Sequence, residues 1–170
     1  DINGRDVFSR LLFGGRISMT VGFLSLLIVF PIGLIYGGIS GYYGGIIDTL
    51  MMRFAEAIMA IPSFYLLIIL AAILPSGMTS VQRFALIVVI LALIGWSGFA
   101  RVVRGMVLSI KNEDFVQAEK MLGASDWRII LKHILPQTTS YVIIAMTLSV
   151  PSYILAESGL SFLGLGIQQP

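Results

Sequence analysis

Charge along this chain is confined to a few stretches, and the segments between them carry none at all. No Asp, Glu, Lys, Arg or His falls within Ile17–Ile47, Ala57–Gln82, Phe84–Ala100 or Ile134–Ala156. About 20 apolar residues rising 1.5 Å each cross a hydrocarbon layer of roughly 30 Å. The pattern therefore predicts four membrane-spanning helices, over residues 17–39, 58–74, 84–100 and 134–156. The third is the shortest, and Arg83 and Arg101 can reach water from its two ends.

Within the first span Gly33, Gly37 and Gly41 recur every fourth residue, continuing to Gly45. A glycine edge of this kind lets a neighbouring helix approach closely. Gly44 and Gly45 read instead as the flexible part of the loop GYYGG. Pro31 is placed to kink the first span, and Pro62 falls in the first turn of the second, where its missing N–H costs little. Pro151 interrupts the fourth span and requires a neighbouring helix or a hydroxyl such as Thr147 to satisfy the freed carbonyl.

The connections follow from the same pattern. Residues 1–16 read as a short helix on the membrane surface or as a packed loop end. Asp48, Arg53 and Glu56 mark an aqueous or interfacial connection, and Pro75, Ser76 and Gly77 a turn. Glu157 closes the fourth span as a solvated end or as a contact to substrate or a soluble receptor. The tail SGLSFLGLGIQQP is too short to cross and is expected at the surface or re-entrant.

One stretch differs from the rest. Arg101–Pro136 holds six of the chain's eleven basic residues and four of its nine acids. Asn112 is placed to cap a helix whose first turn carries Glu113 and Asp114, with Phe115, Ala118 and Leu122 on one face. Gly123 ends it. Ser125 and Asp126 start a second helix with Trp127, Ile130, Leu131 and Ile134 as its apolar stripe, and Pro136 disfavours helical geometry at Leu135. Two amphipathic helices hinged at a left-handed glycine result. With four spans, the side holding 40–57 and 101–133 carries more Lys and Arg than the side holding Arg5, Arg10, Arg16 and Arg83, which places the large loop in the cytoplasm.

Composition narrows the class. Hydrophobic residues make up 57% and charged residues 12%, with a mean hydropathy of +0.95. Soluble domains carry about 25% charge. The fold class is therefore all-α, a polytopic membrane helix bundle forming a single domain over residues 1–170. A net charge of +2 with acids and bases interleaved argues against nucleic acid. There is no cysteine, the single histidine His133 cannot build a metal site alone, and no GxxxxGK[ST] loop or catalytic triad pattern occurs. No cofactor and no enzymatic activity are expected. The predicted spans lack the interior ionisable residue that an ion-coupled carrier uses.

The charged loop resembles the cytoplasmic loop of ABC-transporter permeases, with its signature Glu-Ala-Ala, three residues, Gly, nine residues, Ile-x-Leu-Pro. Ala118, Gly123, Leu135 and Pro136 fall in register, whereas Gln117 and Glu119 replace the first Glu and second Ala, and His133 takes the Ile position. GRDVFSRLLFGGRIS, GYYGGIIDTLMMR, GWSGFARVVRGMVLS, GASDWRIILKHILP and AESGLSFLGLGIQQP extend the likeness to the dipeptide/oligopeptide and nickel branch, over nearly the whole chain. The resemblance implies a permease in the inner membrane of a bacterial or archaeal cell, importing peptides, nickel or another small solute. It implies ATPase subunits, a second homologous permease and an extracytoplasmic solute-binding protein as partners, with further helices before Asp1 and after Pro170. It also implies an ATPase-coupling loop comprising Phe115, Gln117, Ala118, Glu119, Leu122, Gly123, Ala124, Ser125 and Trp127, with Leu135 and Pro136 at its end. A membrane scaffold that recruits a soluble protein through this loop is the alternative from another class.

Overall fold

The structure, a computed structural model, describes residues 7–73, 75 and 77–163. It is an all-α bundle. The helices are α1 (Val7–Tyr43), α2 (Gly45–Met59), α3 (Ser63–Ala72), α4 (Ser80–Ile110), α5 (Asp114–Met121), α6 (Asp126–Ile129) and α7 (Thr139–Phe162). A π-helical turn (Ile130–Ile134) and a 3-10 turn (Leu135–Thr138) join α6 to α7.

α1 and α4 extend beyond the uncharged runs they contain. The amphipathic stretch around Phe8–Arg16 is not a separate surface helix but the first turns of α1, which continues through Pro31 to Tyr43. Residues 1–6 lie outside the described residues. α4 runs past the expected end at Ala100 for a further ten residues to Ile110, so Arg101 and Arg104 ride on a helix and not in a loop. Its start has a reciprocal cap: Gln82 N donates to Thr79 Oγ1 and Thr79 N donates to Gln82 Oε1. That Thr-x-x-Gln box satisfies two otherwise orphan donors.

The second span is the largest correction. The connection expected over 40–57 is mostly helical, because α2 begins at Gly45 directly after a turn made by Gly44 at φ 67° and Gly45 at φ 55°. Left-handed φ at two successive positions explains the glycines, which form a defined turn. α2 and α3 then meet at a 74° bend, so residues 45–70 form a bent helix pair, a broken span or a re-entrant loop, and not one straight span. Pro62 stands just ahead of α3 and its carbonyl accepts from Leu66 N. The cause is local: proline disfavours helical geometry at Ile61 and supplies no N–H to continue α2. Leu74 and Ser76, at the end of the expected span and turn, lie outside the described residues.

Two cores hold the bundle. α1 packs along α4 and, less extensively, α7. The larger core joins Leu26, Val29 and Phe30 of α1 to Trp96, Ala100, Val103 and Val107 of α4, and reaches Val116, Ile129, Ile130 and Ile134. A smaller core gathers Val21, Leu67, Ile87, Leu91 and Leu160. Gly33, Gly37 and Gly41 lie directly on α4. A methyl group at Gly37 would meet the Ala100 carbonyl and Val103, and one at Gly41 would come within 3 Å of the Arg104 carbonyl and Val107. Gly22 faces Tyr153 and Ile154 of α7, and Gly38 faces Ile130 and Leu135. α1 therefore presents small residues in three directions.

Candidate functional site

The charged loop forms a platform at one end of the bundle. After Ile110 the chain turns at Lys111–Glu113, and α5 starts with Glu113 in the extended N-cap geometry. Asn112 is not the cap; its Nδ2 donates back to the Leu108 carbonyl at 3.2 Å. Gly123 closes α5 at φ 77°, with Gly123 N donating to Lys120 O and Ala124 N to Glu119 O. This pair of bonds is a Schellman motif, which needs a residue that tolerates left-handed backbone. Ser125 then begins α6 with no side-chain cap bond, its carbonyl accepting from Ile129 N.

Pro136 does not end the second helix. The backbone at Leu135 is helical, with φ −60° and ψ −37°, and Asp126–Phe162 forms one 37-residue apolar helical run. The π turn before the proline widens the helix by one residue and the 3-10 turn tightens it again. Such bulges absorb a missing N–H without breaking the helix. Pro151 also lies inside α7, but the Thr147 hydroxyl donates to the Ile143 carbonyl and not to the carbonyl freed by the proline.

The residues expected in the loop separate into two faces. Val116, Ile129, Ile130 and Ile134 are fully buried, and Ala124 and Leu135 are partly buried against the same core. Phe115, Ala118, Gly123, Ser125 and Pro136 are exposed, as are Met121 at 83%, Leu122 at 81% and Trp127 at 50%. Gln117 is half-buried and its Nε2 donates to the Lys111 carbonyl at 2.9 Å. Glu119 lies 3.7 Å from His133 Nε2. The platform thus turns apolar side chains toward water on one face while its other face is part of the bundle.

A residue outside the loop, Tyr42, helps to fasten it. Tyr42 at the end of α1 donates its hydroxyl to Asp126 Oδ1 at 2.7 Å, and Lys120 Nζ sits 5.0 Å from the Tyr42 ring centre. Lys111 Nζ donates to the Gly41 and Tyr42 carbonyls at 2.9 and 3.2 Å. Beside them Asp48, expected in a watery connection, is buried: Arg104 Nε and Ser40 Oγ donate to its Oδ1 at 2.8 and 2.5 Å, and Arg104 also pairs with Oδ2. The pair clamps α2 to α4. Its sequence signal was a charge of each sign beside a long apolar run, where an apolar setting demands a partner.

At the opposite end stands a second buried acid. Glu157 is 4% exposed, so it is not a solvated span end. Ser18 Oγ of α1 donates to its Oε2 and Ser161 Oγ to its Oε1, both at 2.7 Å. With α7 running to Phe162, Glu157 lies inside the helix, and part of the tail expected at the surface or re-entrant is helical; residues 164–170 lie outside the described residues.

These features define a multi-pass membrane protein whose long helices are fastened at one end to a platform of short helices. The chain belongs to the family described as binding-protein-dependent transport system inner membrane component, which matches residues 17–170. It is 50% identical over 98% of its length to the dipeptide transport system permease protein DppC of Bacillus subtilis (strain 168), covering 50% of that protein. It is 45% identical over its full length to the oligopeptide transport system permease protein OppC of Haemophilus influenzae, covering 53%. It is 39% identical, again over its full length, to the glutathione transport system permease protein GsiD of Pectobacterium atrosepticum, covering 54%. The chain spans about half the length of these curated relatives.

Proposed function

We propose that this chain is the membrane-spanning core of a peptide importer driven by a separate ATPase, and that its 112–132 loop is the coupling element. The observation that carries the reading is the platform itself. α5 and α6 offer Phe115, Met121, Leu122 and Trp127 to a partner, and a buried aromatic or aliphatic anchor set in a groove is how protein interfaces gain most of their affinity. The platform is tied to α1 through Tyr42 and to the end of α4 through Gln117, which donates to the Lys111 carbonyl, and α6 is continuous with α7. A displacement applied at α6 therefore tilts α7 as well. The dipeptide, oligopeptide and glutathione names of the relatives support a peptide as cargo.

The assembly in this reading has two ATPase subunits, a second, similar permease and an extracytoplasmic binding protein, with residues 111–133 in the cytoplasm. The test is reconstitution of the full-length protein with these partners in liposomes. ATP-dependent peptide uptake is expected, and Leu122→Ala with Trp127→Ala should release the ATPase while leaving the permease in the membrane. In cells, an impermeant thiol reagent should label Gly77→Cys but not Ser125→Cys. Absence of uptake for any di- or oligopeptide, or labelling of Ser125→Cys alone, overturns the reading.

A further inference from the structure

Glu157 is a carboxylate in a membrane helix, and its partners among the described residues are two hydroxyls. Each hydroxyl fills one acceptor site on one oxygen, and each carboxylate oxygen offers two. Neutral donors do not cancel the charge, and a buried carboxylate without a counter-charge is costly in a span. The ion pairs among the described residues are Arg53–Glu56, Arg104–Asp48 and His133–Glu119, none of which involves Glu157.

The carboxylate also borders open space. A cavity of about 360 Å³ between α1 and α7 is lined by Gly14, Ile17, Ser18, Glu157, Ser161 and Phe162. That volume is at the lower end of the roughly 300–1,000 Å³ of small-molecule sites. Its walls combine one acid, serine hydroxyls, a glycine and apolar side chains. This is the lining that suits a small organic cation: an ammonium head against the carboxylate and a short apolar body against Ile17 and Phe162.

We infer that Glu157 is the acceptor for the amino-terminal ammonium of a peptide at the mouth of the path, with Ser18 and Ser161 orienting its carboxylate. This rests on the peptide reading above. An α-ammonium is the positively charged group common to free peptides whatever their side chains, so one carboxylate here selects peptides as a class without selecting a sequence. Glu157 also stands on the helical run that begins at Asp126, about 46 Å away at 1.5 Å per residue. Ser18, which holds the other side of the carboxylate, stands on α1. Tilting α6–α7 against α1 pulls Glu157 from Ser18 and changes the site when the platform moves.

The test uses the complete transporter in liposomes, with its binding protein unchanged, and compares trialanine with N-acetyl-trialanine. The unmodified protein should take up the free-amine peptide at least tenfold faster. Glu157→Gln should remove at least tenfold of that preference, mainly by slowing the free-amine peptide, and Glu157→Asp should keep part of it. In the unmodified protein, trialanine should slow carbodiimide modification of Glu157, read by mass spectrometry, whereas N-acetyl-trialanine, sodium and potassium should not. This second measurement decides the matter if Glu157→Gln fails to assemble. An unchanged preference in Glu157→Gln, equal loss of both peptides, or protection by the salts alone overturns the site while leaving peptide import standing. Failure of the unmodified protein to import any peptide overturns the import reading instead.

Discussion

The contact between α1 and α4 and the long limb α6–α7 both involve helices apolar enough to cross a membrane, but they are built on different terms. Along the first, Gly33, Gly37 and Gly41 let two backbones touch, and Val103, Val107 and Ala100 are fully buried. Along the second, Ile143, Ile144, Leu148 and Leu155 are exposed. Hydrocarbon is as apolar as leucine, so burying a leucine in a membrane bundle gains little, and helices associate where small residues permit close packing or polar groups pair. The α1–α4 seam is thus a fixed joint. The limb is bonded at its two ends, by Tyr42–Asp126 at the platform and Ser18–Glu157 at the other, and between them one side packs on the bundle through Tyr141, Val150 and Tyr153 while the other stays exposed.

The sharpest way to break this contrast is Gly37→Leu. A side chain there collides with the backbone of α4, not with a flexible neighbour, and should force the two helices apart along the seam. The yield of folded protein in membranes is expected to fall to background. Gly105→Ala, on α4 where an added methyl group meets nothing within 4 Å, should be recovered normally. Equal recovery of both variants would mean the seam is no more than an incidental contact.

Next in size is Arg104→Leu, which leaves Asp48 buried without its cation. Removing one partner of a buried pair costs about 3–5 kcal/mol. Because Arg104 is a third exposed, the lower end, about 3 kcal/mol, is expected as a reduced melting temperature of the purified protein in detergent. Adding Asp48→Asn should restore most of the loss. No restoration would place the cost in the packing of the arginine stem instead.

The smallest effect, and the one aimed at the limb, is Gly123→Val. Nothing lies within 4 Å of an added methyl group, so the cost is that of left-handed backbone for an L-residue, about 1–2 kcal/mol. The seam should be untouched and the melting temperature should fall less than in Arg104→Leu, while affinity for the ATPase and coupled hydrolysis drop together. A large fall in melting temperature with normal ATPase binding would show that this turn stabilises the bundle and does not set the platform.

Much of the platform was legible because its signals are local. A glycine between two amphipathic stretches is enough to expect a left-handed turn, and the four-residue glycine spacing is enough to expect an edge for close approach. The exposed and buried sides of the loop were harder. Phe115, Leu122, Trp127 and Leu131 satisfied the helical period and yet face outward, while Val116 and Ile129 fill the core. Helical spacing shows that residues share a face. It does not tell which face meets the bundle, and a docking surface carries the same apolar residues as a core.

The distribution of charge along the chain, by itself, determined that this is an all-α membrane protein with one charge-dense loop, since water-soluble folds cannot absorb such long uncharged runs. It also located the glycine edge and the turn at Gly123. Tertiary structure alone decided that Asp48 and Glu157 are interior groups, because each depends on what a distant element supplies: Arg104 lies 56 positions from Asp48 and Ser18 139 positions from Glu157. The bend between α2 and α3 and the passage through Pro136 have local causes, Pro62 and the π turn, which the distribution of charge does not register. Local pattern measures how a residue suits its own helix; whether a charge is tolerated there depends on the neighbour that folding brings beside it.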